Sequence, residues 1–577
     1  MTATTPPPVP PASPSAATSA AGTSAAAAPS PSAAATVRPA RPPAISGSGI
    51  LLGSLFFAAS LTPSLVPRSA EMQGLLGGAL FAIGYAIAVS ILIAWRWLQL
   101  YEPPRRYSRR WALAAAVIGI AVVALTLTRV ADWQDAVRAV MAMPPVEETH
   151  TPLVLAIAGA TATALFALVW LMRRLFRLIK WPLERVITPR LAFVLGLAGA
   201  SGAALLVVDG LVIRTTFEML DRSYAALDTL IEPDTAKPAD PSATGSAASL
   251  VPWGTLGRDG RRFIDRRTTE ADLAAFWNGP VSAPLRVYVG LGSADEPKER
   301  AELALAEMLR TGAFDRDVLV LALPTGTGFM DPGAIATLEY LHRGSVSTVA
   351  VQYSYMQSPF SLIFEPDAGT ETGRALLSTV YDHWTQMPRE SRPRLYLYGL
   401  SLGAYSSERS VRLYEVVGDP FNGALWAGPP FVSPIHHDVT MNRNPGSPMW
   451  LPAFENGAVV RTMNQETITS DGEPWGPLRI LYFQHASDAI VFFDYTLFWR
   501  RPDWLVAPRG PDVTDTMRWW PIVTALQVAA DMMLATHVPR GYGHEYAASR
   551  YIDAWVTLTD PDVTPADIAR LKARFDD

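Results

Sequence analysis

Five long stretches without a charged residue crowd the segment between residues 47 and 214: Ile50–Val66, Met72–Trp95, Trp111–Thr128, Thr151–Met172 and Leu191–Val208. A helix rises about 1.5 Å per residue and a bilayer core is about 30 Å thick, so roughly 17–25 such residues cross it. Five runs of that kind are hard to hide in a globule, and the segment is read as an all-α five-helix transmembrane domain over 47–232. The first run is the weakest, because Pro63 and Pro67 interrupt its end.

The connecting loops carry a charge code. Arg96, Arg105, Arg106, Arg109 and Arg110 lie in one loop, and Arg173, Arg174, Arg177, Lys180, Arg185 and Arg190 in another. The alternate loops are poor in positive charge: one holds Arg68, and the other holds Arg129 and Arg138 beside Asp132, Asp135, Glu147 and Glu148. Positive loops stay cytoplasmic. The N-terminus is therefore expected inside, and everything after residue 214 outside the plasma membrane. Asp209, near the outer end of the last run, is expected to reach the interface.

Residues 1–46 are almost entirely Ala, Pro, Ser and Thr, a composition that cannot bury enough apolar surface to fold, and are expected to form a disordered tail. Residues 233–250 read as a linker. The remainder, 251–577, has mixed charge and ordinary globular composition. The net charge of −5 gives no reason to expect nucleic acid as a partner. With no Cys, thiolate nucleophiles, disulfides and Cys-ligated metals are excluded.

In this last part apolar β-branched and aromatic runs alternate with helical patterns. Leu285–Gly290, Asp317–Leu323, Val346–Tyr355, Arg394–Tyr398, Gly423–Ala427 and Leu478–Gln484 read as strands, with helices expected at 299–311, 332–342, 371–386 and after Gly403. The alternation predicts an α/β fold, a mostly parallel sheet with helices on both faces.

Gly399-Leu400-Ser401-Leu402-Gly403 matches G-x-S-x-G, directly after the strand run RLYLY and at the start of a helical segment. Alone the pentapeptide is weak evidence; the strand–turn–helix setting is what the motif requires. The turn is too tight for side chains near the serine, which projects its hydroxyl at a helix N-terminus. A neutral serine needs a base, and the base an orienting acid. In such sheets the acid and then His follow the serine. Asp488, just past LRILYFQ, and His544, in Gly541-Tyr542-Gly543-His544-Glu545, are chosen, with Asp494 and His537 in reserve. The oxyanion hole is expected from the Leu402 N–H and from Gly326 or Thr327 in the loop Pro324-Thr325-Gly326-Thr327-Gly328. That loop lacks the Gly-Lys-Ser/Thr ending of a phosphate loop. His436-His437-Asp438 lacks a third spaced ligand, so no metal and no cofactor is expected. Residues 432–477 read as an insertion forming a lid or substrate wall. The aromatics of Phe492–Trp504 and Trp519-Trp520 suit either core packing or a membrane interface.

With these residues in place, the chain from about 48 to 555 resembles a bacterial α/β-hydrolase family whose catalytic domain follows a multi-pass membrane domain. The resemblance rests on Ser60-Leu-Thr-Pro-Ser-Leu-Val-Pro-Arg68, Gln73-Gly74 and Gly84-Tyr85, then on Arg286–Gly290, Pro324–Gly328, Gln352–Tyr355, Ser401–Gly403, Gln484–Asp488 and Gly541–His544. Leu400 and Ala489 depart from its pattern. The resemblance implies an α/β-hydrolase fold and a serine hydrolase, and little about substrate. The expected activity is that of a membrane-anchored enzyme acting on an acyl ester of a lipid or envelope component. An acyltransferase would use the same acyl-enzyme. A transporter or flippase with a non-catalytic module is the rival from another class, and the spans' lack of internal charge speaks against it. The membrane bilayer is the expected partner.

Overall fold

The computed structural model describes residues 46–101, 105–206, 214–412, 417–470 and 472–575. The expected tail up to residue 45 and Asp209 lie outside these residues.

Seven helices come first: α1 (Gly47–Ser60), α2 (Ala70–Trp97), α3 (Arg105–Leu127), α4 (Val130–Ala139), α5 (Thr151–Leu183), α6 (Pro189–Leu205) and α7 (Arg214–Thr229). Serine starts the first two: Ser46 accepts from the Gly49 N–H at 3.2 Å, and Ser69 from the Met72 N–H at 3.3 Å. Small residues let the helices approach closely. A Cβ on Gly78 of α2 would lie 2.4 Å from the Ala158 carbonyl oxygen of α5. Among the described residues three helices are long and apolar enough to cross a membrane, namely α2, the stretch Arg110–Leu127 of α3, and α5. The five expected spans thus divide into these three and two shorter apolar helices. The shorter two are α1, 14 residues, stopped at Ser60 ahead of Pro63, and α6, 17 residues. α7 carries Glu218, Asp221, Arg222 and Asp228 and does not have the composition of a span.

The hairpin between α1 and α2 is where the N-terminal helices grip the rest of the chain. The helix Val523–Met532 runs alongside α1 and α2. Its Gln527 side-chain amide donates to the carbonyls of Ser60 at 3.2 Å and Thr62 at 3.0 Å. Its fully buried Asp531 accepts from the Ser64 hydroxyl, from the Leu65 N–H at 3.0 Å and from Arg68 Nε at 2.8 Å. Leu65 packs with Ala486 and Phe492, while Val66, Val137 and Met141 pack against Leu534, Val538 and Tyr542. The turn after α1 and the segment holding α4 therefore touch the same part of the α/β region.

Residues 233–250 carry no helix or strand, yet Ala243, Thr244 and Ser246 are buried, and Glu307 accepts from the Ser249 hydroxyl and the Leu250 N–H.

Seven parallel strands form the sheet: β1 (Leu285–Val289), β2 (Val318–Leu323), β3 (Val346–Val351), β4 (Arg394–Leu400), β5 (Gly423–Ala427), β6 (Val460–Met463) and β7 (Arg479–Phe483), in the order β1-β3-β2-β4-β5-β7-β6. Every strand residue is buried except the first of β4 and of β7. This is why the strands read as continuous apolar runs. Helices Pro297–Thr311, Ala368–Gln386 and Leu402–Ser410 pack as one group, and Pro332–Leu341 with Ala548–Thr559 as another. β4 sits centrally, so its C-terminal end opens at the middle of the sheet. The expected insertion 432–477 contains a helix, Pro434–Met441, and the edge strand β6. Of the aromatics expected at core or interface, Phe492 and Trp504 are buried while Tyr495, Trp499 and Trp520 are exposed.

Candidate active site

Ser401 stands between β4 and the helix Leu402–Ser410 at φ 56°, ψ −124°. A non-glycine residue held there costs on the order of 1–3 kcal/mol and persists only where its surroundings enforce it. The enforcement is visible. A Cβ on Gly399 would lie 2.4 Å from Gly403 backbone atoms, and a Cβ on Gly403 would lie 2.2 Å from the Leu323 carbonyl oxygen. No larger residue fits either place. The Ser401 N–H donates to the Ala427 carbonyl at 2.9 Å, pinning the turn to the end of β5. Leu402 opens the helix, so its N–H is one of the first-turn donors with no intrahelical acceptor.

Asp488 follows β7 and is fully buried. Its Oδ1 accepts from the Ile490 N–H at 2.9 Å; its Oδ2 accepts from His544 Nδ1 at 2.6 Å and from the Tyr546 hydroxyl at 2.7 Å. A buried carboxylate with three donors is held in one orientation. With Nδ1 donating to the carboxylate, Nε2 of a neutral His544 is the basic nitrogen. That Nε2 is buried and has no hydrogen-bond partner among the described residues. A Cβ on Gly428 would lie 2.5 Å from His544 Cε1, which places the imidazole against the residue after Ala427. The serine and the imidazole thus flank one short turn at the end of β5.

The acid and histidine loops are stitched together behind the site. His485 Nδ1 donates to the Gly543 carbonyl at 2.9 Å, and the Gly543 N–H donates to Ser487 Oγ at 2.9 Å. Asp512 accepts from both the Ser487 N–H and its hydroxyl. The His544 N–H donates to the Ala535 carbonyl at 2.8 Å, three residues past the docking helix Val523–Met532. Burial lowers the pKa of His485 and keeps it neutral; burial, then the charge of Asp488, raises that of Tyr546 well above a free phenol's. Sequence reasoning missed Tyr546, Ser487 and Asp512. Tyr546 lies only two positions beyond His544 and Ser487 directly precedes Asp488, local signals that were present.

The loop after β2 begins against Gly403. Gly326 N–H donates to Ser358 Oγ at a long 3.3 Å. The next residue, Thr327, donates its hydroxyl to Asp259 at 2.9 Å and accepts at its carbonyl from Gln352 at 3.4 Å. The reserve residues are placed apart. Asp494 caps the short turn Tyr495–Phe498, and His537 is exposed. His436 lies on a helix and bonds Gln484 through Nε2 at 2.5 Å. Among the described residues no group of three His, Cys, Asp or Glu is arranged to hold a metal.

Two family models match the chain: "Alpha/beta-hydrolase family" over residues 285–571 and "Alpha/beta-hydrolase family N-terminus" over residues 61–266. No curated protein and no solved structure matches it. The two matched stretches run through the docking hairpin and the whole parallel sheet, and the chain belongs to this alpha/beta-hydrolase family.

Proposed function

We propose that the protein is a membrane-anchored serine hydrolase acting on an acyl ester of a lipid or envelope component. Ser401 Oγ attacks the acyl carbonyl while His544 Nε2 takes its proton. Asp488 keeps the imidazole in the Nδ1–H tautomer and stabilises the imidazolium that forms. The Leu402 N–H and the Gly326 N–H hold the oxyanion, Gly326 exchanging its long bond to Ser358 for the developing charge. The Thr327 N–H is the alternative second donor, since the bond of Thr327 to Asp259 engages only its hydroxyl. His544 then returns the proton to the leaving alcohol, and water repeats the cycle on the acyl-enzyme.

The observation that carries the reading is the His544–Asp488 bond of 2.6 Å, with the opposite ring nitrogen buried and unpartnered beside the turn that holds Ser401. The loop charges support a cytoplasmic N-terminus and an extracytoplasmic catalytic part in the plasma membrane. The contacts of the α1–α2 hairpin and of the α4 segment with the α/β part support the same sidedness, since both belong to the charge-poor loops. The test is covalent labelling by a fluorophosphonate in detergent. Wild type is expected to label and Ser401→Ala not to; labelling that survives Ser401→Ala rules Ser401 out as the nucleophile.

A further inference from the structure

Two adjoining depressions lie where the α/β part meets α1 and α3, away from Ser401. One is a groove of about 740 Å³ whose walls include Leu52, Leu55 and Phe56 of α1, Val122 of α3, and Val523. The other, about 560 Å³, is lined by Arg501, Arg509 and Arg518 with Asp515 and Trp519. They share Arg518 and Trp520, so an apolar trough runs into a cationic basin.

The three arginines are held in place by their own loop rather than by acids. Arg501 donates to the Leu505 carbonyl at 2.7 Å, Arg509 to Thr514 at 2.8 Å, and Arg518 to Asp515 and Met517 at 2.6 and 2.9 Å. Among the described residues none forms an ion pair. Their charges bear on one another: after burial, Arg518 and Arg501 both depress the pKa of Arg509, and Asp515 only partly opposes them. Three like charges set against one carboxylate, Asp515, leave a net positive basin ready for an anion with several acceptor oxygens. The groove points to the rest of the ligand. α3 is a membrane-type helix whose apolar stretch is only 11% buried by protein, and the groove meets it at Val122 and Thr126, near its C-terminal end at Leu127. That is the depth at which hydrocarbon gives way to headgroups, and Trp520, 41% exposed, sits on the border as interfacial tryptophans do.

We propose that this junction binds an anionic phospholipid, its phosphate among Arg501, Arg509 and Arg518 and an acyl chain in the groove between α1, α3 and Val523. The site is separate from the serine and independent of whether it hydrolyses anything. The lipid fills the seam between the two parts of the chain and ties the catalytic part to an anionic membrane.

The test uses the full chain bearing Ser401→Ala, so that hydrolysis cannot consume the probe. It is equilibrated in detergent with equal dioleoylphosphatidylglycerol and dioleoylphosphatidylcholine, and retained lipid is read by native mass spectrometry. Retention of phosphatidylglycerol over phosphatidylcholine by about tenfold, equivalent to about 1.4 kcal/mol, is expected, because only the former carries a net negative charge to the three arginines. Arg518→Gln should lower that preference severalfold, and Val122→Trp, which fills the groove without touching charge, should lower retention. Equal retention of the two lipids, or a preference that persists in the triple Arg501→Gln/Arg509→Gln/Arg518→Gln chain, overturns the proposal. Displacement by millimolar inorganic phosphate with no effect of Val122→Trp would make it a free-anion site and also overturn it.

Discussion

Removing the charge of Asp531 should loosen the grip between the two parts of the chain and slow the reaction at Ser401. Asp531 and Arg68 are 2.8 Å apart with side chains 0% and 1% exposed, and Asp531 also holds the Ser64 hydroxyl and the Leu65 N–H. Breaking one side of a buried pair costs about 3–5 kcal/mol, mainly because the other charge is left in a dry place. Asp531→Asn keeps the shape, and Arg68 keeps neutral contacts to Gln73 at 3.3 Å and Ser60 at 3.4 Å. The lower end, about 3 kcal/mol, is therefore expected. Arg68→Gln should cost a similar amount, and the double variant clearly less than the sum, with a coupling of about 1.5 kcal/mol or more. Urea unfolding in detergent, followed by tryptophan fluorescence, measures all three. Since the His544 N–H donates to Ala535 just beyond the docking helix, fluorophosphonate labelling should slow as well. Single variants within about 0.5 kcal/mol of wild type, or strictly additive effects, would refute the argument. A loss of stability with unchanged labelling would show that the helix does not position His544.

Asp488→Asn should leave the fold intact and slow labelling at neutral pH by about 10³–10⁴-fold, because the imidazole loses its tautomer and its stabilising charge; a labelling rate near wild type would remove Asp488 from the site. Tyr546→Phe deletes one donor to Asp488 Oδ2, a charge-assisted bond worth about 1.5–3 kcal/mol, so labelling should fall roughly tenfold or more while Ser401 stays reactive. Glu408, one helical stretch beyond Ser401, is pushed by burial from the usual 4.5 up to about 7, against the Ile435 N–H and the Tyr482 hydroxyl that favour its charged form. The folded chain holds this proton more tightly than the unfolded one, so the stability it contributes is present below pH 4.5 and lost as pH rises through 7. Relative to Glu408→Gln, wild type should lose about 2–3 kcal/mol between pH 5 and pH 8 in urea titrations; parallel pH curves would contradict this.

What could be read from the chain and what could not divides along the range of the interactions. Runs such as Val318–Leu323 and Arg394–Leu400 announced themselves because strands buried on both faces must be apolar throughout. β6, Val460–Met463, escaped notice: it is four residues at the sheet edge, with Arg461 and Thr462 in its middle. Ser401, Asp488 and His544 were legible because the elbow demands glycines and the chain order restricts the partners. The structure brings Asp488 and His544 to 2.6 Å. Of the residues behind them, Ser487 and Tyr546 are sequence neighbours of Asp488 and His544, whereas Asp512 reaches Ser487 across 25 positions, a contact that no local pattern encodes. The pairing of Arg68 with Asp531 spans 463 positions, and in sequence Asp531 is merely the polar side of an apolar helix. Hydropathy sees an apolar run, whereas the length of α1 is set where the chain turns into the docking hairpin, so the first of the five expected spans is a helix of only 14 residues.

The hairpin Ser60–Arg68 has a mechanical consequence. A globule hung from a flexible tether sweeps a hemisphere and meets its targets at any height within reach. Here the mount is rigid, clamped by Gln527 and Asp531 at one end of the helix bundle. On the proposed reading, the Ser401 hydroxyl then works at a single elevation above the lipid surface and in a single attitude, so a target in the leaflet would have to travel to it by sideways drift and rise only as far as that fixed altitude.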